Sequence, residues 1–289
     1  MYSILFQCVA FILAAAVTGQ HVGMENTDNT GNSDTPVYNG EEIILPMCRN
    51  FLPYNWTKLP NQFGHDTQVE VYRHIEHQWA YMDYGCSNNF RQFVCSLYLP
   101  KYDPVTQTVA GPCKEMCSKA RNRCKKTMRE TRSRWPRIFR CNQLPSKRND
   151  DVCLRPVRES RVELQHTYCV DNVIPMCISL NSLGSLPNFF LQRSLGEITT
   201  EMRFYEDLVS TNCNANLQFF LCGTYLPLCV PNITPFAIPC RELCDEIKRD
   251  CSTHFDFIYQ GLPWPNKLQC HRYTPSNDTS RYCAMPGDF

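Results

Sequence analysis

Five cysteines, Cys86, Cys95, Cys113, Cys117 and Cys124, recur as Cys213, Cys222, Cys240, Cys244 and Cys251, each 127 positions later. Cys48, Cys141 and Cys153 recur as Cys177, Cys270 and Cys283 after 129, 129 and 130 positions. Spacing held over eight pairs of positions marks one covalent framework used twice. The copies differ at two places: the second has Cys169 and Cys229 where the first has Asn39 and Tyr102. A joint absence points to a bond between those two cysteines.

The compartment must allow disulfides. Cys8 lies in an apolar run from Ile4 to Val17, followed by the small residues Thr18 and Gly19. A membrane span needs about 20 apolar residues, so this shorter run reads as a signal peptide over 1–19. Removing Cys8 from the 19 cysteines leaves 19 − 1 = 18, split eight and ten between the copies. Even counts in both fit complete pairing in an oxidising compartment. No later segment is apolar enough to span a bilayer, so the expectation is a secreted, extracellular protein. Sequons at Asn55, Asn232 and Asn277 are expected glycosylation sites.

Residues 20–35 are polar and nearly free of large apolar side chains, which predicts a disordered leader. The first domain is expected over 36–153 and the second over 169–283, with a tail over 284–289. A linker over 154–168 separates the domains, and fully extended it would span roughly 50 Å. Two domains so joined are expected to move semi-independently.

Within each copy the central segment has helical periodicity. Phe90, Phe93, Val94 and Leu97 stand at i, i+3, i+4 and i+7, matched by Leu217, Phe220, Leu221 and Thr224. A second helix is expected to start at Pro112 and Pro239, with cysteines at i, i+4 and i+11, and to end at Trp135-Pro136 and Trp264-Pro265. Copies of this size carry thin cores, and bonds closing such loops contribute roughly 3–5 kcal/mol each. The cysteines therefore read as structural.

Charge divides the copies. Cys48 to Cys153 holds 18 Lys and Arg against 9 Asp and Glu, a net of 18 − 9 = +9; Cys169 to Cys283 holds 8 against 11, a net of 8 − 11 = −3. Lys119, Arg121, Arg123, Lys125, Lys126, Arg129, Arg132 and Arg134 concentrate the excess on one helix and its end. Outside the cell, the polyanion such a face would meet is heparan sulfate, not nucleic acid. Nothing resembles a catalytic site: His65-Asp66 is an isolated pair, and there is no nucleophile elbow, metal-binding helix motif or phosphate loop. The chain reads as a non-enzyme without metal or cofactor, and its oligomeric state is left open.

The first copy also contains Tyr54-Asn55-Trp56-Thr57, the run Leu59-Pro60-Asn61-Gln62-Phe63-Gly64-His65-Asp66-Thr67-Gln68, Gly111-Pro112-Cys113, Trp135-Pro136 and Cys141-Asn142-Gln143-Leu144-Pro145. With the cysteine frame, these residues resemble the cysteine-rich domain of Frizzled receptors and secreted Frizzled-related proteins. The second copy keeps Leu186-Pro187-Asn188, Pro239-Cys240 and Leu262-Pro263-Trp264-Pro265. The resemblance implies a mainly α, small disulfide-rich fold: two tandem Frizzled-like domains, each helical with two short β-strands. Carried over by position, it implies the pairs Cys48–Cys95, Cys86–Cys124, Cys113–Cys153, Cys117–Cys141, Cys169–Cys229, Cys177–Cys222, Cys213–Cys251, Cys240–Cys283 and Cys244–Cys270. The pair absent from the first copy is the family's first–fifth bond.

The family binds Wnt proteins and grips their palmitoleoyl chain in an apolar groove. The positions resembling that groove are His77, Gln78, Ala80, Tyr84, Thr131 and Ser133 in the first copy, and Phe204, Tyr205, Leu208, Thr211 and Leu262 in the second. The second set is the more apolar, so any acyl contact is expected there. The implied function is capture of Wnt-type acylated ligands as a soluble modulator or decoy, and the alternative is a matrix or glycosaminoglycan-binding adhesion module.

Overall fold

The computed structural model describes residues 40–148, 152–159, 167–231 and 237–288. The expected signal peptide, leader and Asn232 sequon lie outside them. In domain one, four short antiparallel strands, β1 (Glu41–Glu42), β2 (Trp56–Thr57), β3 (Lys101–Asp103) and β4 (Thr108–Ala110), pair in sequence order. The α-helices are α1 (Gln68–Ile75), α2 (Trp79–Tyr84), α3 (Asn88–Tyr98) and α4 (Lys114–Glu130), with short 3-10 turns at Glu76–Gln78 and Cys141–Gln143. Domain two has one hairpin-like pair, β5 (Tyr168–Asp171) with β6 (Leu183–Leu186), and helices α5 (Leu195–Arg203), α6 (Glu206–Ser210), α7 (Leu217–Tyr225) and α8 (Arg241–Ile258). The fold is thus mainly helical as expected, but domain one carries four strands, not two.

The two copies start their helices in the same way. Thr67 Oγ1 accepts from Glu70 N at 3.3 Å, and Ser194 Oγ accepts from Glu197 N at 3.4 Å, so each first helix is capped by a hydroxyl three residues before a glutamate. Gly85, at φ 67°, ends α2 in the left-handed conformation that costs glycine least. Phe90, Phe93, Val94 and Leu97 form the buried stripe of α3, and Leu217, Phe220, Leu221 and Thr224 that of α7. Thr224 pairs its hydroxyl with Phe220 O at 2.8 Å, which removes the penalty of a buried polar group.

Two boundaries differ from the sequence expectation. Cys113 and Cys240 are the N-caps of α4 and α8, so Pro112 and Pro239 stand one residue outside the helices. There they form isolated bridges to Leu154 and Ala284. The helices also end at Glu130 and Ile258, before the Trp-Pro pairs, because Arg132 (φ 56°) and Gln260 (φ 53°) turn the backbone left-handed.

Among the described residues, nine disulfides join Cys48–Cys95, Cys86–Cys124, Cys113–Cys153, Cys117–Cys141, Cys169–Cys229, Cys177–Cys222, Cys213–Cys251, Cys240–Cys283 and Cys244–Cys270. These are the pairs that the resemblance implies. Domain one fills the place of Cys169–Cys229 with the buried ring of Tyr102, pressed so closely on Gly40 that a Cβ there would stand 2.4 Å from Tyr102 Cδ1.

The segment 154–159 is not a free linker. Leu154 exchanges backbone hydrogen bonds of 2.9 Å with Cys113 and Gly111. Asn89 Oδ1 accepts from Val157 N at 2.8 Å, and Glu159 accepts from Ser87 Oγ, from Asn89 Nδ2 at 2.6 Å and from Asn89 N at 3.0 Å. Ala284 likewise belongs to the body of domain two, since its N donates to Ile238 O at 2.8 Å. Val37–Phe289 forms one compact unit, in which the two domains pack against each other. Polar and aromatic contacts form the junction between them.

Candidate ligand face at the domain junction

The Leu-Pro-Asn turn of each copy positions the junction. Asn61 Oδ1 accepts from Phe63 N and His65 N, while Asn61 Nδ2 donates to Tyr98 O at 2.9 Å. Asn188 repeats the clamp with Phe190 N, Gln192 N and Tyr225 O. The residue four positions on then differs. His65 stays inside domain one, 3.1 Å from Asn61 Nδ2 and stacked beside Tyr98; burial and the neighbouring His74 hold its pKa below the usual histidine value. Gln192 instead reaches out of its domain, donating Nε2 to Asp83 Oδ1 at 3.2 Å and to Glu201 Oε2 at 2.7 Å.

Asp83, on α2, is the meeting point. Arg91 Nη2 lies 2.9 Å from its Oδ1 within domain one, and Lys267 Nζ of domain two lies 2.8 Å from its Oδ2. Lys267 also pairs with Glu201 at 2.5 Å, and Glu201 accepts from Tyr225 OH at 2.6 Å. The Lys267 ammonium sits 4.4 Å from the Trp79 ring centroid and 4.3 Å from that of Phe190, an aromatic cage around a buried cation. Two carboxylates and two cations make the cluster neutral, which makes its burial tolerable. Burial pushes the pKa of Glu201 up, against the opposing pull of Lys267. Burial also pushes Glu197 up.

Around this cluster, Arg193 Nη1 donates to Tyr84 O at 3.3 Å, and its guanidinium lies 5.2 Å from the Tyr84 ring centroid. The Glu76 side chain bonds Asn266, and burial sets its pKa above the ordinary value. A cavity of about 140 Å³ remains at the seam, lined by Glu76, His77, Trp79, Ala80 and Asp83 from one domain and by Phe190, Asn266, Lys267 and Arg272 from the other.

The groove positions fall on both sides of this seam. In domain one, His77 and Ala80 are exposed on the cavity, Tyr84 is half-buried beneath Arg193, and Gln78 is buried. Thr131 and Ser133 lie beyond α4, with Thr131 Oγ1 2.8 Å from Tyr81 OH. In domain two, Tyr205 (0 % exposed), Leu208 (0 %), Leu262 (1 %) and Phe204 (4 %) are core residues, and only Thr211 is exposed. Phe204 stacks on Tyr259 at 4.1 Å, Tyr205 OH meets Tyr225 OH at 3.1 Å, and Val69 of domain one closes on Gly261. This face is packed, so the acyl contact expected in domain two has no open groove beside Tyr205 and Leu262. The residues are apolar because they are interior.

The basic residues divide too. Lys119, Arg121, Lys125, Arg129, Arg132 and Arg134 are exposed, and Lys126 is weakly paired with Glu130 at 3.8 Å. Arg123 pairs with Glu159 at 2.6 Å and holds the 154–159 segment. Asn55 and Asn277 are exposed. Among the described residues, no helix is long and apolar enough to cross a membrane, and no group of three or more His, Cys, Asp or Glu could hold a metal ion.

The residues that sequence reasoning missed are Asp83, Arg91, Gln192, Glu201 and Lys267. One signal was available: Lys267 follows Trp264-Pro265 where the first copy has the apolar Ile138 after Trp135-Pro136.

The chain resembles Frizzled-8 of Xenopus laevis, 36 % identical over 112 residues covering 39 % of this chain and 19 % of that protein. It resembles human Frizzled-5, 38 % identical over 105 residues covering 36 % of this chain and 18 % of that protein. Mouse Frizzled-10 is 34 % identical over 115 residues, covering 39 % and 20 %. The chain therefore spans about a fifth of the length of these relatives. The Fz domain family model matches twice, over residues 40–148 and 169–277. Two matched copies on one duplicated disulfide frame account for most of the chain, which belongs to the Fz domain family.

Proposed function

We propose that this protein is a secreted, non-catalytic binding protein for Wnt-type acylated ligands, acting as a modulator or decoy, with domain one as the ligand-binding copy. The observation that carries this reading is the contrast between the two groove faces. Domain two's is filled by its own aromatics, whereas His77 and Ala80 of domain one remain exposed on the cavity at the domain junction. Its membership of the Fz domain family supports a binding role. Each buried CH₂ of an acyl chain contributes about 0.8 kcal/mol, so an acyl-dependent site would discriminate strongly between acylated and stripped ligand. Capture of Wnt with and without its acyl group tests the reading; equal capture of both would remove the acyl mechanism.

A second reading rests on α4. Lys114, Arg121, Lys125 and Arg129 project from one exposed arc of this helix, over about 22 Å at 1.5 Å per residue. That array fits an extended sulfated polysaccharide such as heparan sulfate, which would hold the protein at the cell surface or in matrix. Retention on heparin above physiological salt supports it, and elution near physiological salt argues against it.

A further inference from the structure

The junction between the domains is polar at its centre and divides along an unusual line. Of the four buried charges, Arg91 and Asp83 form one pair within domain one, and Lys267 and Glu201 form another within domain two. The cross-domain contacts Lys267–Asp83 and Gln192–Asp83 are added to pairs that are already complete. Separation along this seam would leave each carboxylate with its own cation. A buried ion pair normally resists opening because one partner is stranded; here neither is.

Closure also carries a cost at the same place. Trp79 Nε1 and Arg193 Nε are buried without a hydrogen-bond partner, and the 140 Å³ cavity shows incomplete packing beside Trp79. Orphaned donors regain water when exposed, which favours the open form. Interfaces between domains of one chain move by default unless large and apolar.

We infer that the domain junction is a reversible latch, in which Lys267, Gln192 and Arg193 of domain two cover the α2 face of domain one. Resting on the reading that this face binds an acyl chain, the latch makes domain two an intramolecular inhibitor of domain one. Ligand then selects the open form, and its apparent affinity is reduced by the fraction of molecules that are open. Domain two needs no ligand of its own for this role, which accounts for its packed groove.

The test uses the full chain and two variants. Arg193→Ala removes the contacts with Tyr84 and belongs to neither ion pair. Asp83→Asn removes the cross-domain carboxylate by a different route, and takes the charged partner of Arg91 within domain one with it. Complete disulfide oxidation and a single cooperative unfolding transition establish that a variant is folded. Small-angle scattering without ligand reads opening, and fluorescent palmitoleic acid reads access to the face. The latch predicts a larger radius of gyration in a folded variant; a tenfold gain in open fraction would bring about tenfold tighter probe binding. Identical scattering for the wild type and both folded variants overturns the latch, whatever the probe does. Opening without any gain in probe binding leaves a hinge but overturns its role as a cover, and the acyl reading of the face falls with it.

Discussion

Lys267 Nζ stands 2.8 Å from Asp83 Oδ2 although 184 residues separate them in sequence. This contact joins the two copies of a duplicated fold at a point where the copies differ, since Ile138 holds the position of Lys267 in domain one. Duplication supplied two similar bodies, and this apolar-to-cationic difference acts with Gln192 and Arg193 to hold one of them on the other.

Replacing Lys267 by isoleucine, its counterpart in domain one, should be strongly destabilising. It leaves Glu201 and Asp83 buried with one fewer cation, a change that costs about 3–5 kcal/mol when a buried pair is broken. Thermal unfolding measures it. Lys267→Met combined with Glu201→Gln should recover part of the loss, because the stranded charge is gone as well. A double variant no better than the single one would show that the charges are not coupled.

Removing Cys169 and Cys229 together should cost domain two about 4 kcal/mol, from a sequence separation of 60 residues in the chain-entropy account. Domain one manages without that bond because the Tyr102 ring fills the space against Gly40. Gly40→Ala should therefore destabilise domain one by about 1–3 kcal/mol, the usual range for overpacking, read as a lower denaturant midpoint.

Much of this was legible in the amino-acid order. The duplicated frame and the Cys169–Cys229 bond could be read from the cysteines, the other disulfide partners came with the family resemblance, and the stripe of Phe90, Phe93, Val94 and Leu97 has a period that only a helix satisfies. The strands of domain one were not legible, since two- and three-residue strands are too short to show alternation. Nor was the closed face: Phe204, Tyr205 and Leu208 are the residue types of a groove wall and equally of a core. The junction escaped because the roles of Gln192 and Lys267 depend on a carboxylate in the other copy. Glu159 lay unnoticed in a polar stretch whose anchor, Asn89, is far away in sequence.

Acid should loosen the 154–159 segment. Burial alone would raise the pKa of Glu159, but hydrogen bonds from Ser87 and Asn89, together with Arg123, outweigh it and leave the net value lowered. A carboxylate lowered in the folded state contributes stability above its unfolded pKa and loses that contribution as pH falls through the folded value. Hydrogen exchange at Val157 should accelerate over that acidic window, and Glu159→Gln should flatten the dependence. An unchanged pH profile in the variant would contradict this anchoring.

Substituting Arg121, Lys125 and Arg129 by alanine should lower the salt concentration at which the protein leaves heparin. The logarithmic salt dependence of binding should shrink by about two to three, from the loss of three cations. Arg123→Ala should act differently: its partner is Glu159, so the change should appear as exchange in the 154–159 segment more than as heparin release.

Acyl-dependent capture on the α2 face of domain one is the point at which fold, latch and function meet. The protein and its Arg193→Ala variant should be immobilised and offered the same Wnt-type ligand with its acyl chain intact and enzymatically removed. The account predicts retention of the acylated ligand only, and stronger retention by Arg193→Ala than by wild type. Equal retention of the two ligand forms by both proteins would contradict it.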